Sequence, residues 1–180
     1  MLKKEITGHL IVSLIWLVAV SLLRWYLKWD LVWLWLGTLF GTFLLDLDHL
    51  IYWFFTHPEK QDSQTAKMLW QKKDFKGLVL LLERYHDTHT RLIFHSALFQ
   101  IIFLFFSFYI FTSSGSLFAS GLAAGMNLHL LKDEWEDYFK NPSHLNDWLF
   151  WQVKKEISSE TQKIYLVSVS AIFGILSLMV

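Results

Sequence analysis

Histidine and aspartate recur in this sequence at spacings suited to holding a metal ion. His129 and Asp133 stand four residues apart, so on a helix they share one face and can reach one ion. Asp46, Asp48 and His49 form a second group, Arg91 and His95 a third, and His9 stands near the start of the chain. The sequence has no Cys, which excludes disulfides and thiolate ligation. An ion would therefore rest on imidazole and carboxylate, a donor set that suits zinc or manganese, with one or two ions held. His57, before Pro58, and His144 read as ordinary loop residues. His86 and His89 read as solvated residues after an amphipathic segment, with a supporting role open to one of them.

The elements that must carry these groups are set by composition. Of the 180 residues 54% are hydrophobic, 18% aromatic and only 18% charged. A soluble domain averages about 25% charged residues, so the apolar excess calls for a bilayer. The net charge of zero gives no reason to expect nucleic acid as a partner. Crossing ~30 Å of hydrocarbon takes about 20 apolar residues as helix. The runs Leu10 to Leu27, Leu31 to Phe55, Leu92 to Phe111 and Ile164 to Val180 meet or approach that length, and Leu117 to Leu131 is a shorter one rich in Gly and Ala. The first run follows Lys3 and Lys4 but is too long for a signal-peptide core and lacks a small-residue cleavage site, so it reads as retained. These runs predict a single all-α domain over residues 1–180, a polytopic membrane bundle of about five spans. With the N-terminus inside, fourteen of the sixteen Lys and Arg fall on the cytoplasmic side and only Arg24 and Lys28 outside, which predicts an N-in, C-out orientation. Phe75 to Tyr85 and Pro142 to Ile157 have apolar residues at helical spacing and read as cytoplasmic amphipathic helices.

With this topology His9, Asp46, Asp48, His49, Arg91, His95, His129 and Asp133 all fall near the inner membrane boundary. An ionisable group at membrane depth costs a few kcal/mol on insertion scales, so a function with a partner group is expected of it. Gly37 with Gly41, and Gly121 with Gly125, make two small-xxx-small faces that let helices approach closely. Gly121, Gly125, His129 and Asp133 continue one i+4 row, and Asp48 continues the Gly41 face. If the faces meet, Asp48 approaches His129. On an ideal helix Asp46 points about 160° away, so either one of the two Asp residues reaches the site or the helix unwinds there.

The run Gly41-Thr-Phe-Leu-Leu-Asp46-Leu-Asp48-His49 resembles the Gly-x-x-x-Pro-Asp-x-Asp-His signature of the membrane-bound metal-dependent hydrolases, a family of bacterial and archaeal inner-membrane proteins. Thr7-Gly8-His9 is similar to that family's early Thr-His, and Thr90-Arg91-Leu-Ile-Phe-His95-Ser96 resembles its His-Arg-Gly-x-Thr-His-Ser. Gly125-Met-Asn-Leu-His129-Leu-Leu-Lys-Asp133 resembles its Gly-x-x-x-His-x-x-x-Asp. The ordered set spans Thr7 to Asp133. Leu45, Thr90 and Phe94 depart from the pattern, at its Pro, its first His and its Thr respectively. The resemblance implies metal ligation by His9, Asp46 or Asp48, His95, His129 and Asp133. The all-helical His/Asp set also shares a distant analogy with zinc-dependent phospholipases C.

The function expected is metal-assisted hydrolysis at the cytoplasmic face of an inner membrane, of a phosphoester in a lipid or lipid-linked substrate. Arg91 would hold the anionic group, and an uncoordinated Asp46 or His49 would serve as base. Two other readings stand beside it: a structural metal site without catalysis, and a metal or ion transporter. The outer halves of the runs (Leu14 to Val20, Leu31 to Leu36, Ile101 to Phe108) lack the polar path a transporter needs.

Overall fold

The computed structural model describes residues 2–23 and 28–180, with side chains of the first stretch from Lys4 onward. Arg24 and the end of the expected first span lie outside the described residues, as does the side chain of Lys3. Among the described residues the protein is all-helical: α1 (Leu2–Leu23), α2 (Leu31–Leu44), α3 (Leu47–Ile51), α4 (Gln61–Gln71), α5 (Phe75–Tyr85), α6 (Ala97–Ser113), α7 (Leu117–Lys140), α8 (Pro142–Leu149) and α9 (Ser159–Ser177). A π-helical turn, Tyr52–Thr56, prolongs α3, and a 3₁₀ turn, His86–Thr88, prolongs α5.

The long helices α1, α2, α6, α7 and α9 make the bundle. Their shared core holds Leu17, Leu34, Leu104, Ala124, Val169 and Phe173. Hydrogen bonds cross between them at Ser13–Thr42, Trp16–Ser177, Asn127–Ser107 and Trp135–Ser170, each contributing about 0.5–1.5 kcal/mol.

The two glycine faces meet as their spacing predicts. A Cβ on Gly37 or Gly41 would collide with the backbone carbonyls of Phe118 and Leu122, and one on Gly121 or Gly125 with those of Leu34 and Thr38. Backbone has nowhere to retreat, so Gly125→Leu should lower the stability of the folded bundle by at least ~1–3 kcal/mol. Denaturant titration of the detergent-solubilised protein checks this, and wild-type stability in the variant would refute the close approach.

Among the described residues two stretches, Lys4–Leu23 and Leu31–Thr56, are long and apolar enough to cross a membrane, and the apolar α6 is shorter. The segments expected as fourth and fifth spans are helical, α7 and α9 of 24 and 19 residues, but neither is apolar enough over its length to count as a span. The polar run from Lys132 to Lys140 ends α7, and α9 opens on Ser-Glu-Thr-Gln-Lys.

Around the end of the bundle where α1 begins and α7 closes, the remaining helices form a second layer. The α4–α5 hairpin packs Ala66, Leu78 and Leu81 against Tyr52 and Trp53 of the π-helical turn. Here α5 has the predicted bounds, and Asp74 caps it by accepting from the Gly77 N–H. The other expected amphipathic helix is shorter than its spacing suggested: α8 stops at Leu149, burying Leu145, Trp148 and Leu149, while Val153 is exposed.

Candidate metal centre

Each of the long helices α1, α2 and α7, with the segment before α6, delivers polar groups to that end of the bundle. Helix α7 brings His129 and Asp133 on its glycine row, and α1 stacks His9 on His129, ring centroids 4.1 Å apart and nearly parallel. The α2 helix breaks at Leu45–Asp46 before resuming as α3. The segment leading into α6, expected as helix from Leu92, is irregular up to the Ser96 cap. Its cause is Asp48, whose carboxylate takes the backbone N–H groups of Phe94 and His95 and so holds them out of a helix. Arg91 and His95 are therefore not one helical turn apart.

His95 and His129 meet Nε2 to Nε2 at 3.2 Å. A carbonyl and a carboxylate can only accept hydrogen bonds, so their neighbours' tautomers follow. His129 Nδ1 donates to the Thr42 carbonyl at 2.6 Å, and His95 Nδ1 faces the Asp48 carboxylate at 3.4 Å. With Nδ1 the donor in each ring, an ion placed between them would meet two Nε2 lone pairs. Asp133 adds a carboxylate oxygen 3.1 Å from His129 Nε2, and Asp46 one at 3.7 Å. His9 Nε2 lies 3.2 Å from the other Asp133 oxygen. Lone pairs crowded this way repel unless a proton or a metal cation sits among them. Two nitrogens at about 2.0–2.1 Å from a tetrahedral ion would be about 3.3 Å apart, close to the spacings present. The donors thus fit a divalent ion.

Three ligand groupings share these residues: His9 with His129 and Asp133, Asp46 with His95 and His129, and Asp46 with His49 and His86. A fourth, Glu5 with His86 and Asp87, lies nearer the surface. Asp46 belongs to two of the groupings and Asp48 to none. Asp48 instead orients His95 through its ring and backbone, the role of a group that fixes a ligand rather than donates to the ion. The helix break resolves the alternative left open by ideal geometry: it turns Asp46, rather than Asp48, toward His129. His49 is 1% exposed, and its Nε2 has no hydrogen-bond partner.

The structure does not bring Arg91 to this centre. Its side chain is exposed and absent from the walls of the adjoining cavity. That cavity, about 520 Å³, is lined by His49, His86, His95 and Asp133 deep within, and by Lys4, Lys132 and Lys140 among acidic neighbours. The cationic groups beside the cavity are these lysines and not Arg91. Lys132 already pairs with Asp133 and Glu136.

Four residues have roles that spacing did not reveal. His89, expected as solvated, is 4% exposed and bonded to Asp62 and His49, and His86 packs its ring 4.5 Å from that of His49. Asp62 carried no motif at all. His144, expected as a loop residue, joins α8 to the wall of the cavity: Nδ1 meets Asp137 at 2.7 Å and Nε2 the Asp87 carbonyl at 2.8 Å. The Asp137 hydrogen bond is the main cause that raises its pKa to about 9. Since an unfolded His titrates near ~6.5, the raised value makes this tether fully stabilising below about pH 6.5 and lost as pH rises through about 9. A stability gap between wild type and His144→Ala should therefore narrow over that window. A gap that does not depend on pH would refute the ion pair.

Compared with protein-family models, curated proteins and solved structures, the chain matches none.

Proposed function

We propose that the protein is a membrane-embedded metal-dependent hydrolase, acting at the cytoplasmic face on the phosphoester of a lipid or lipid-linked molecule. The observation that carries the metal reading is the meeting of His95 and His129 Nε2 to Nε2 at 3.2 Å, with Asp133 and Asp46 carboxylates beside them. Support for the membrane comes from an inverted surface. On α1 Ile11, Ile15 and Leu22 face outward, on α6 Phe105, Phe106 and Phe108, and on α9 Ile164, Ile172 and Ile175. Only about a third of the apolar part of α1 is buried in the protein. Exposed apolar area on this scale marks a membrane or protein interface, and its spread over three helices suits lipid. The five spans would be α1, Leu31–Thr56, α6, α7 and α9, oriented N-in and C-out by the charge asymmetry.

A divalent ion in such a donor set supplies Lewis acidity toward a phosphoryl oxygen and lowers the pKa of water. The chain does the rest. Thr42 and Asp48 hold the imidazoles with their lone pairs inward, and Asp46 links the two donor groups. The cavity opens beside Lys4, Lys132 and Lys140, where an anionic headgroup can dock while its acyl chains remain against the apolar helices. The resemblance of Thr7–Asp133 to the membrane-bound metal-dependent hydrolases agrees with this reading.

Two experiments test it. Reporter fusions after Lys60 and Lys140 should read cytoplasmic and one after Ser114 external; an external signal near Lys72 would overturn the orientation. Zinc- or manganese-loaded protein in detergent, offered a panel of phospholipid and lipid-diphosphate substrates, should release phosphate or a phosphorylated headgroup from at least one, and lose that activity to chelator. Metal binding without turnover of any substrate would favour a structural site instead.

A further inference from the structure

From His49 and His89 in the cavity wall a continuous polar chain runs to Asp62, a residue that belongs to none of the hydrolase-like motifs. Asp62, on α4, accepts from Trp53 Nε1 at 2.9 Å and meets His89 Nε2 at 2.8 Å. His89 Nδ1 meets His49 Nδ1 at 2.8 Å. Tyr52 stacks on His89 with ring centroids 4.0 Å apart, which fixes the plane of the ring. His49 ends the chain: its other nitrogen, Nε2, is buried and unpartnered, and a nitrogen of this ring lies within 4.8 Å of donor atoms of Asp46 and His86.

The direction of the protons along this chain follows from the acceptor at its far end. Burial opposes the charge of Asp62, but the hydrogen bonds from His89 and Trp53 outweigh it and hold its carboxyl below the usual carboxylate range. A carboxylate cannot donate, so the His89 proton is on Nε2. His89 is 4% exposed, enclosed by Tyr52 and Trp53, and the single proton of a neutral ring already satisfies Asp62. Nδ1 of His89 is then an acceptor, and the short contact to His49 Nδ1 requires that His49 be the donor. The remaining nitrogen of a neutral His49 is a lone pair.

We propose that Asp62 and His89 are positioning residues that hold His49 in its Nδ1-protonated tautomer, so that its bare Nε2 completes a second ion position with Asp46 and His86. This rests on the metal reading of the site, but the tautomer can be tested without any metal. The arrangement matches the general pattern in which a ligating imidazole is aimed by a hydrogen bond at its other nitrogen. Here the aiming group is itself a histidine, oriented in turn by a carboxylate supplied from a different helix.

Two measurements on the full chain in detergent test the proposal. Nitrogen-15 correlation spectra of histidine-labelled, metal-free protein should show His49 protonated at Nδ1 and bare at Nε2. A proton on Nε2 of wild-type His49 would overturn the inference at once. Zinc titration against a competing chelator should then resolve two ions in the wild type. Asp62→Asn, which removes the charge at nearly constant size, should mix the His49 tautomers and weaken the second ion ~10–100-fold, leaving the first unchanged. Trp53→Phe removes the other hydrogen bond on the same carboxylate oxygen and should preserve both the tautomer and the second ion. Two ions bound by Asp62→Asn at wild-type affinity, or an equal loss in Trp53→Phe, would overturn the relay. If the wild type binds no ion, the metal reading fails, while the His49 spectrum still decides the tautomer.

Discussion

His129→Ala should leave the protein unable to retain a divalent ion. Its imidazole is the most connected group of the centre: it belongs to two of the ligand groupings, stacks on His9, and faces His95 and Asp133 at 3.2 and 3.1 Å. Losing a residue that merely orients a ligand typically costs 10–100-fold in metal affinity, so loss of this donor should exceed ~100-fold. The side chain is buried, and the substitution also frees the Thr42 carbonyl, so some loss of stability accompanies it. His57→Ala is the control: His57 contacts Thr56 and Tyr52 in a loop and should keep full metal content. Chelator competition on both purified variants checks the difference, and equal affinities would remove His129 from the centre.

The two aspartates of the second cluster should separate in the same assay. Asp46→Asn withdraws a carboxylate common to two groupings, and should therefore reduce binding at both ion positions. Asp48→Asn should keep both ions with affinity lowered ~10–100-fold, because its effect passes through the ring of His95 and the Phe94 and His95 N–H groups. An amide oxygen can still accept from those N–H groups, so the loop before α6 should stay in place. Metal loss that is larger for Asp48→Asn than for Asp46→Asn would reverse the assignment made from the helix break.

The parts of this centre that were legible in the sequence are those governed by regular helix geometry. Gly121, Gly125, His129 and Asp133 share an i+4 row on α7, which has no break anywhere along it, and the facing Gly37 and Gly41 lie on an equally regular stretch of α2. Amphipathic spacing likewise gave α5 its bounds. What was not legible depends on contacts between segments distant in sequence. The turn at Leu45–Asp46 has neither Pro nor Gly to announce it, so extrapolating the Gly41 face along an ideal helix chose Asp48. The loop from Arg91 to Ser96 looks helical in its apolar content, but its N–H groups are taken by a carboxylate more than forty residues earlier. That unwinding leaves Arg91 exposed instead of facing the cavity. Asp62 meets His89 across 27 residues, a pairing created by the fold of the α4–α5 hairpin and marked by no spacing. The membrane setting was read from composition, and its strongest structural counterpart is the outward apolar faces of α1, α6 and α9.

The central claim is that buried imidazole and carboxylate lone pairs converge because they hold a divalent ion. The most direct test is the metal content of the detergent-purified wild type, loaded with zinc or manganese, freed of excess ion, and measured by elemental analysis before and after a strong chelator. The account predicts one or two ions per chain, removed by chelator with a fall in thermal stability, as expected when an ion binds only the folded state. A loaded wild type that retains no ion, and whose stability is indifferent to both metal and chelator, would contradict it: His95 and His129 would then share a proton instead.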